Sequence, residues 1–300
     1  MLSRSRIRSS RRRRALFMVF VAVGLLALFL TPAFSAPARA AAGKVVVTLG
    51  ADLDPAQRGQ MLDLFKVDAD KVTVLEVTNA EERRYLEGAV PDKQIGTRAI
   101  SSAYVHIKDD GSGVKVQTKH ITYVTPRTYA NALVTAGVAD ADVYAAAPFD
   151  VSGTAALTGI FKAFEEATGK EIPDQAKSVA TEEMVGTAQV GKEVGNADAI
   201  AKLIEQAKAE IAKQGLKDPA AIREVVVRIA AELKVNLTIG QVDQLVKILV
   251  AVQGLHLDVN RLQSQLKDFQ DSIGLTDAQA QGIWESIKSF FHRVWQDIFG

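Results

Sequence analysis

The apolar residues of this chain change their period once, and the change falls at Gly169. Upstream of it, short β-branched runs alternate with helical stripes. Downstream, only the helical spacing of three and four residues remains. A chain patterned this way builds a sheet with helices packed on it, then a body of helices alone. The expected class is therefore α+β: a mixed α/β sheet domain over 41–169, an all-α helical bundle domain over 170–275, and an amphipathic C-terminal helix over 276–300.

The first half reads element by element. Lys44 to Leu49, Val72 to Val77 and Val143 to Phe149 are strand-like runs. Asp54-Pro55-Ala56-Gln57 has the chemistry of a helix start, with Asp as cap, Pro in the first turn and Gln three residues after the cap. Asn79 is expected to cap the next helix, with Glu82 three residues on. Arg98 to Ile107 and Val114 to Val124 are extended runs separated by Asp109-Asp110-Gly111-Ser112-Gly113, and that turn chemistry predicts a β-hairpin. Pro126 starts a helix that stops at Gly137, and another follows Ser152-Gly153-Thr154 and ends at Gly169. In the second half, helices are expected over 174–189, 196–214, 218–234, 238–253, 258–273 and 276–299. Their stripes include Ile200, Leu203, Ile204, Ala207 and Ile211. The phrase Leu-Asp/Thr-x-x-Gln recurs at Leu53, Leu237 and Leu275. The intervals are unequal and the pattern is generic capping chemistry, so it is not a repeat.

The N-terminus has a different character. Seven arginines and no acid occupy residues 1–14, an apolar run spans Ala15 to Leu30, and Ala38-Arg39-Ala40 follows. These are the three parts of a cleavable export signal, with cleavage before Ala41. The 16 apolar residues fall short of the roughly 20 that span a bilayer. The pair Arg13-Arg14 also fits a twin-arginine signal, and the strongly apolar run favours the general secretory route. The leader holds eight of the 36 basic residues and none of the 35 acidic ones, so the mature chain carries 28 against 35, a net charge of −7. That sign lacks the electrostatic footprint of a nucleic-acid binder. The chain has no cysteine, which excludes disulfides, thiol catalysis and thiolate metal sites.

Candidate chemistry is sparse. The histidines are His106, His120, His256 and His292; only His106 and His120, on the two arms of the expected hairpin, could pair, and no H-E-x-x-H occurs. They read as ordinary strand and surface histidines, and no metal site or cofactor is expected. Ser152, Gly153 and Thr154 stand between a strand and a helix, where backbone N–H groups can hold an anion or simply begin a capped helix. The hydroxyl-rich stretch with Arg98, Ser101 and Ser102 would line a polar groove or form the solvent face of the hairpin. Glu165-Glu166 and Glu182-Glu183 lie on helices, where adjacent side chains diverge, so they read as solvated faces rather than paired acids. In the C-terminal helix Trp284, Ile287, Phe290, Phe291, Val294, Trp295, Ile298 and Phe299 make an aromatic face suited to a membrane surface, an envelope partner or docking on its own domain.

The run ITYVTPRTYANALVTAGVADADVYAAAPFDVSGTAALTGIFKAFEEATG (Ile121 to Gly169) resembles the YpuA-like exported proteins, the family called domain of unknown function 1002. Val45 to Leu53, Glu76 to Leu86, Ile95 to Val105 and Leu257 to Phe269 are similar to that family as well. The resemblance implies an exported envelope or extracellular protein and implies no established activity. Together these readings point to a non-catalytic binding module of the cell envelope. The alternative is a ligand-binding or enzymatic domain using a polar cleft near Arg98, Ser101, Ser102, Ser152 and Thr154.

Overall fold

The computed structural model describes residues 42–87, 95 and 97–255. Five strands, β1 (Val45–Gly50), β2 (Thr73–Val77), β3 (Ser102–Ile107), β4 (Val114–Ile121) and β5 (Ala141–Val151), form one sheet in the order β2-β1-β3-β5-β4. Between and after them come helices α1 (Pro55–Phe65), α2 (Asn79–Leu86), α3 (Pro126–Thr135), α4 (Ala156–Thr168), α5 (Asp174–Val194), α6 (Ala197–Gln214), α7 (Pro219–Glu232) and α8 (Ile239–Gln253). The class is α+β with a mixed sheet. β1 pairs parallel with β2 and β4 parallel with β5, while β3 runs antiparallel between β1 and β5.

The expected hairpin is not formed: β5 lies between β3 and β4. Six residues, Lys108 to Gly113, can span about 20 Å, twice the ~10 Å that separates strands two places apart. That connection is fastened to the start of β5 instead. The amides of Gly111 and Gly113 both donate to Asp140 Oδ1 at 2.9 Å, and Lys108 N donates to Asp140 O at 2.7 Å. β5 also suits a central position, because Ala141, Val143, Ala145, Ala146 and Ala147 are all buried and so supply both faces.

Helix α1 covers one face of the sheet, placing Met61 and Phe65 on Val47, Leu49 and Ala146. The opposite face takes α3 and α4, with Tyr129, Leu133, Leu157, Ile160 and Phe161 on Val46, Ala103, Val105 and Val143. The local start signals hold where they were clearest: Asp54 with Gln57 and Thr238 with Gln241 form capping boxes. The cap of α2 is Thr78 rather than Asn79, because Thr78 and Glu81 satisfy each other's backbone amides. The structure changes character at Gly169, the left-handed C-cap of α4 (φ +66°). The cores on its two sides nevertheless share α5. Ala180, Met184 and Val185 pack into the core of the sheet, while Val190 joins Ile200, Leu203, Ile204, Val226 and Leu245 among the helices.

A polar interlock joins the layers. The side chains of Lys208 on α6 and Glu183 on α5 are each 1% exposed and meet at 2.7 Å. Lys208 Nζ also donates to Asn131 O at 2.8 Å and Thr135 Oγ1 at 3.1 Å, both on α3, so its three N–H bonds are all used. Thr135 Oγ1 in turn donates to Glu183, and Asn131 Nδ2 donates to Ala201 O at 2.8 Å. At the rim, Arg127 pairs with Asp198 and Glu205, each at 2.9 Å. Glu183 therefore stands in the core, contrary to its reading as part of a solvated face.

Two sets of substitutions follow from this packing. Lys208→Ala strands a buried carboxylate and is expected to cost about 3–5 kcal/mol in denaturant unfolding, whereas Lys208→Met combined with Glu183→Leu regains most of it. Gly50→Ala would put its Cβ 2.3 Å from Ala99 O, a backbone atom, so a loss of about 1–3 kcal/mol is expected. Gly59→Ala on α1, where a Cβ meets nothing within 4 Å, is expected to gain up to ~1 kcal/mol.

Candidate functional site

Because β1, β2, β4 and β5 run one way and β3 the other, their carboxyl ends share a sheet edge with the start of β3. At that edge the connections from two neighbouring parallel strands part company. The chain leaves β1 for α1 on one face and leaves β2 for α2, whose Leu86 joins the core of the other face. Open α/β sheets bind ligands in the crevice such a switch of sides creates.

The backbone there is drawn tight. Asp52 N donates to Ala99 O at 3.1 Å and Ala99 N donates to Asp52 Oδ2 at 2.7 Å. Exposed Arg98 donates through Nη2 to Asp52 O at 3.1 Å. Gly50 lies beneath Ala99, which is why that position has no room for a side chain. Beside this junction stands Glu82 on α2, fully buried. Its Oε2 accepts from Asn79 Nδ2 at 3.2 Å, and its Oε1 has no partner. Burial, with Asp52 and Glu81 adding their negative charge, pushes this carboxyl up to about 7, against the opposing pull of the Asn79 amide. Thr48 Oγ1 is likewise buried without a partner, pressed against Gly159 in the first turn of α4.

The residues singled out from sequence fall in two places. Arg98 closes over the loop that follows β1, while Ser101 and Ser102 are buried, so the stretch is not a solvent-facing strand. Ser102 Oγ is unpartnered and points to the α1 side, since Ser102 stands opposite Ala146 in the core of that face. Ser152, Gly153 and Thr154 follow the end of β5. Val151 lies five residues beyond Ala146, about 17 Å along a strand. Ser152 Oγ lies 3.3 Å from Thr154 Oγ1. Gly153 (φ +88°) fits under Ile121 and Tyr129, whose hydroxyl donates to Gly153 O. Thr154 does not cap the helix, for the N-cap of α4 is Ala155, with no side-chain bond. Among the described residues no hydrogen bond joins the two groups. The aromatic face from Trp284 to Phe299, the two C-terminal helices expected over 258–299 and the leader lie outside the described residues.

β5 separates His106 from His120, so the two do not pair. His120 is left-handed (φ 56°) at a bulge between Lys119 and Ile121, with Nδ1 2.8 Å from Asp150 Oδ1. Among the described residues no group of three or more His, Asp or Glu side chains could hold a metal ion, and no helix is long and apolar enough to cross a membrane.

Sequence reasoning missed Glu82, Glu183 and Lys208 as buried charges, yet helical spacing marks two of them. Glu82 precedes Leu86 by four residues, and Lys208 lies on the stripe of Ile204 and Ile211, so both share a helix face with core residues.

The comparisons with known proteins agree in extent. The family model described as a protein of unknown function (DUF1002) matches residues 49–269. A Bacillus subtilis (strain 168) protein described as uncharacterized protein YpuA is 40% identical over 283 residues, covering 92% of this chain and 97% of that relative. No solved structure matches the chain. With most of its length matched, this chain belongs to the DUF1002 family of proteins of unknown function.

Proposed function

We propose that the chain is exported and serves as a non-catalytic binding module of the cell envelope. The observation that carries this reading is the leader: arginine-rich residues 1–14, the apolar run to Leu30 and the small-residue site at Ala38-Arg39-Ala40. The body supports the module part of the reading, because its charged side chains brace the frame. Lys208 spends all three N–H bonds on α3 and α5, and Asp52 and Arg98 fasten the entry of β3. The aromatic sequence face with Trp284, Phe290, Phe291, Trp295 and Phe299 is the surface proposed to meet the membrane or an envelope partner.

A second reading, ligand binding at the carboxyl edge of the sheet, draws on a different observation. Buried Glu82 and Thr48 keep unpartnered oxygens beside the switch of sides. Buried polar atoms are seldom left unpaired in folded proteins, and a bound polar ligand would satisfy them.

Export is checked by intact mass of the protein recovered from the producing cells. The expected species starts at Ala41 and fractionates with the envelope or medium. A full-length cytoplasmic species overturns export. Co-sedimentation of the mature protein with anionic liposomes tests the surface, with residues 276–300 present or deleted. Binding is expected to be lost with the deletion, and the membrane role fails if neither form binds.

A further inference from the structure

Helix α2 is eight residues long, two turns that on their own would be marginal in water. It stays docked through Leu86, through ion pairs at its rim, and through the face that carries Glu82. Arg84 Nη2 meets Asp174 of α5 at 2.7 Å, where Tyr85 also bonds Asp174, and Glu81 meets Lys162 of α4 at 2.6 Å. These rim pairs are exposed or half-exposed and contribute little. Glu82 is the group whose state the docking depends on, because it is fully buried and has an oxygen that bonds nothing.

We propose that Glu82 is a proton-operated latch: its neutral carboxyl keeps α2 docked beside the carboxyl end of β1, and loss of the proton releases the helix. Among the described residues, the charges around Glu82 that the structure shows are negative or already engaged elsewhere. On its own helix, Glu81 adds negative charge, Arg83 donates to Asn79 Oδ1 and Arg84 is held by Asp174. From the loop after β1 comes Asp52, again negative. On α4, Lys162 is taken by Glu81 and by Glu76 O. On α5, Asp174 faces Arg84 and Tyr85, while Lys177 pairs with Glu165 at 2.7 Å and stands over the Tyr85 ring. A carboxylate formed there is buried among like charges with one amide hydrogen bond.

The working range follows from the proton balance. An undocked Glu82 titrates at the ordinary value of 4.5, and burial pushes the docked carboxyl up to about 7. Between those values the docked state holds a proton the undocked one has lost. Docking is therefore strongest below about pH 4.5, weakens as pH rises to about 7, and is constant above. The gap of 2.5 between 4.5 and 7 raises the opening constant about 300-fold in all, from well below 4.5 to well above 7, of which about 70-fold falls between pH 5 and 8. The device stands on the packing of α2 and is independent of whether the chain is exported.

Amide hydrogen exchange of residues 79–86 in the full chain, corrected for intrinsic rates, reads the latch directly. In the unaltered protein, protection is expected to fall by roughly 70-fold between pH 5 and 8. Glu82→Gln keeps the shape and removes the charge, so its α2 should stay protected across that range. A pH-independent α2 in the unaltered protein, or an unchanged fall in Glu82→Gln, would overturn the proposal. Should that variant fail to fold, a ¹³C titration of the Glu82 carboxyl in the unaltered protein decides. A midpoint near 7 upholds the latch, and one near 4.5 sinks it.

Discussion

An ammonium group taken out of water must give each of its N–H bonds to an acceptor, and the position of Lys208 is set by that demand. Its three acceptors come from two helices: Asn131 O and Thr135 Oγ1 on α3, and Glu183 Oε1 on α5. α6, which carries Lys208, can satisfy it at one register, since a slip of one turn would displace Nζ by about 5.4 Å. Desolvating two charges consumes much of what their attraction returns, so the pair adds little net stability. Its larger effect is on arrangement. Apolar residues such as Met184 or Leu203 contribute roughly 1.5–3 kcal/mol each when buried and are indifferent to small shifts. The interlock is what fixes α3, the helix lying on the sheet, against α5 and α6 of the helical half.

The same arrangement explains which features the sequence disclosed. Capping boxes at Asp54 and Thr238 were legible because all their partners lie within three residues. The change of period at Gly169 was legible for a similar reason, being a property of each local stretch. The separation of β3 and β4 by β5 was not. Asp109 to Gly113 is turn chemistry whether the two arms pair or receive a third strand between them, and Asp140, which decides the matter, lies 27 residues beyond Gly113. Glu183 and Lys208 were hidden because a charge on a helix is read as solvated until its partner is known, and the partner here is 25 residues away. Arg98 and Ser102 share an approach to one strand, while Ser152 and Thr154 follow the far end of β5, a distance that register alone reveals.

Glu82 is a contrasting solution to burying charge. Lys208 and Glu183 are matched and fully bonded, whereas Glu82 has one amide contact and two negative neighbours. Such a group is tolerated when it is neutral, so it ties the docking of α2 to the proton concentration outside the molecule. The two arrangements divide the fold into a braced interior, where α3, α5 and α6 meet, and a loosely held helix at the carboxyl edge of the sheet.

Native-state hydrogen exchange across residues 42–255, followed through a denaturant series, tests whether the interlock makes sheet and helices one cooperative body. The slowest amides of β1, β3 and β5 should open with those of α5 and α6 at a common free energy, converging on a single unfolding step. If α5 and α6 instead open several kcal/mol below the strands, the buried pair does not couple the layers.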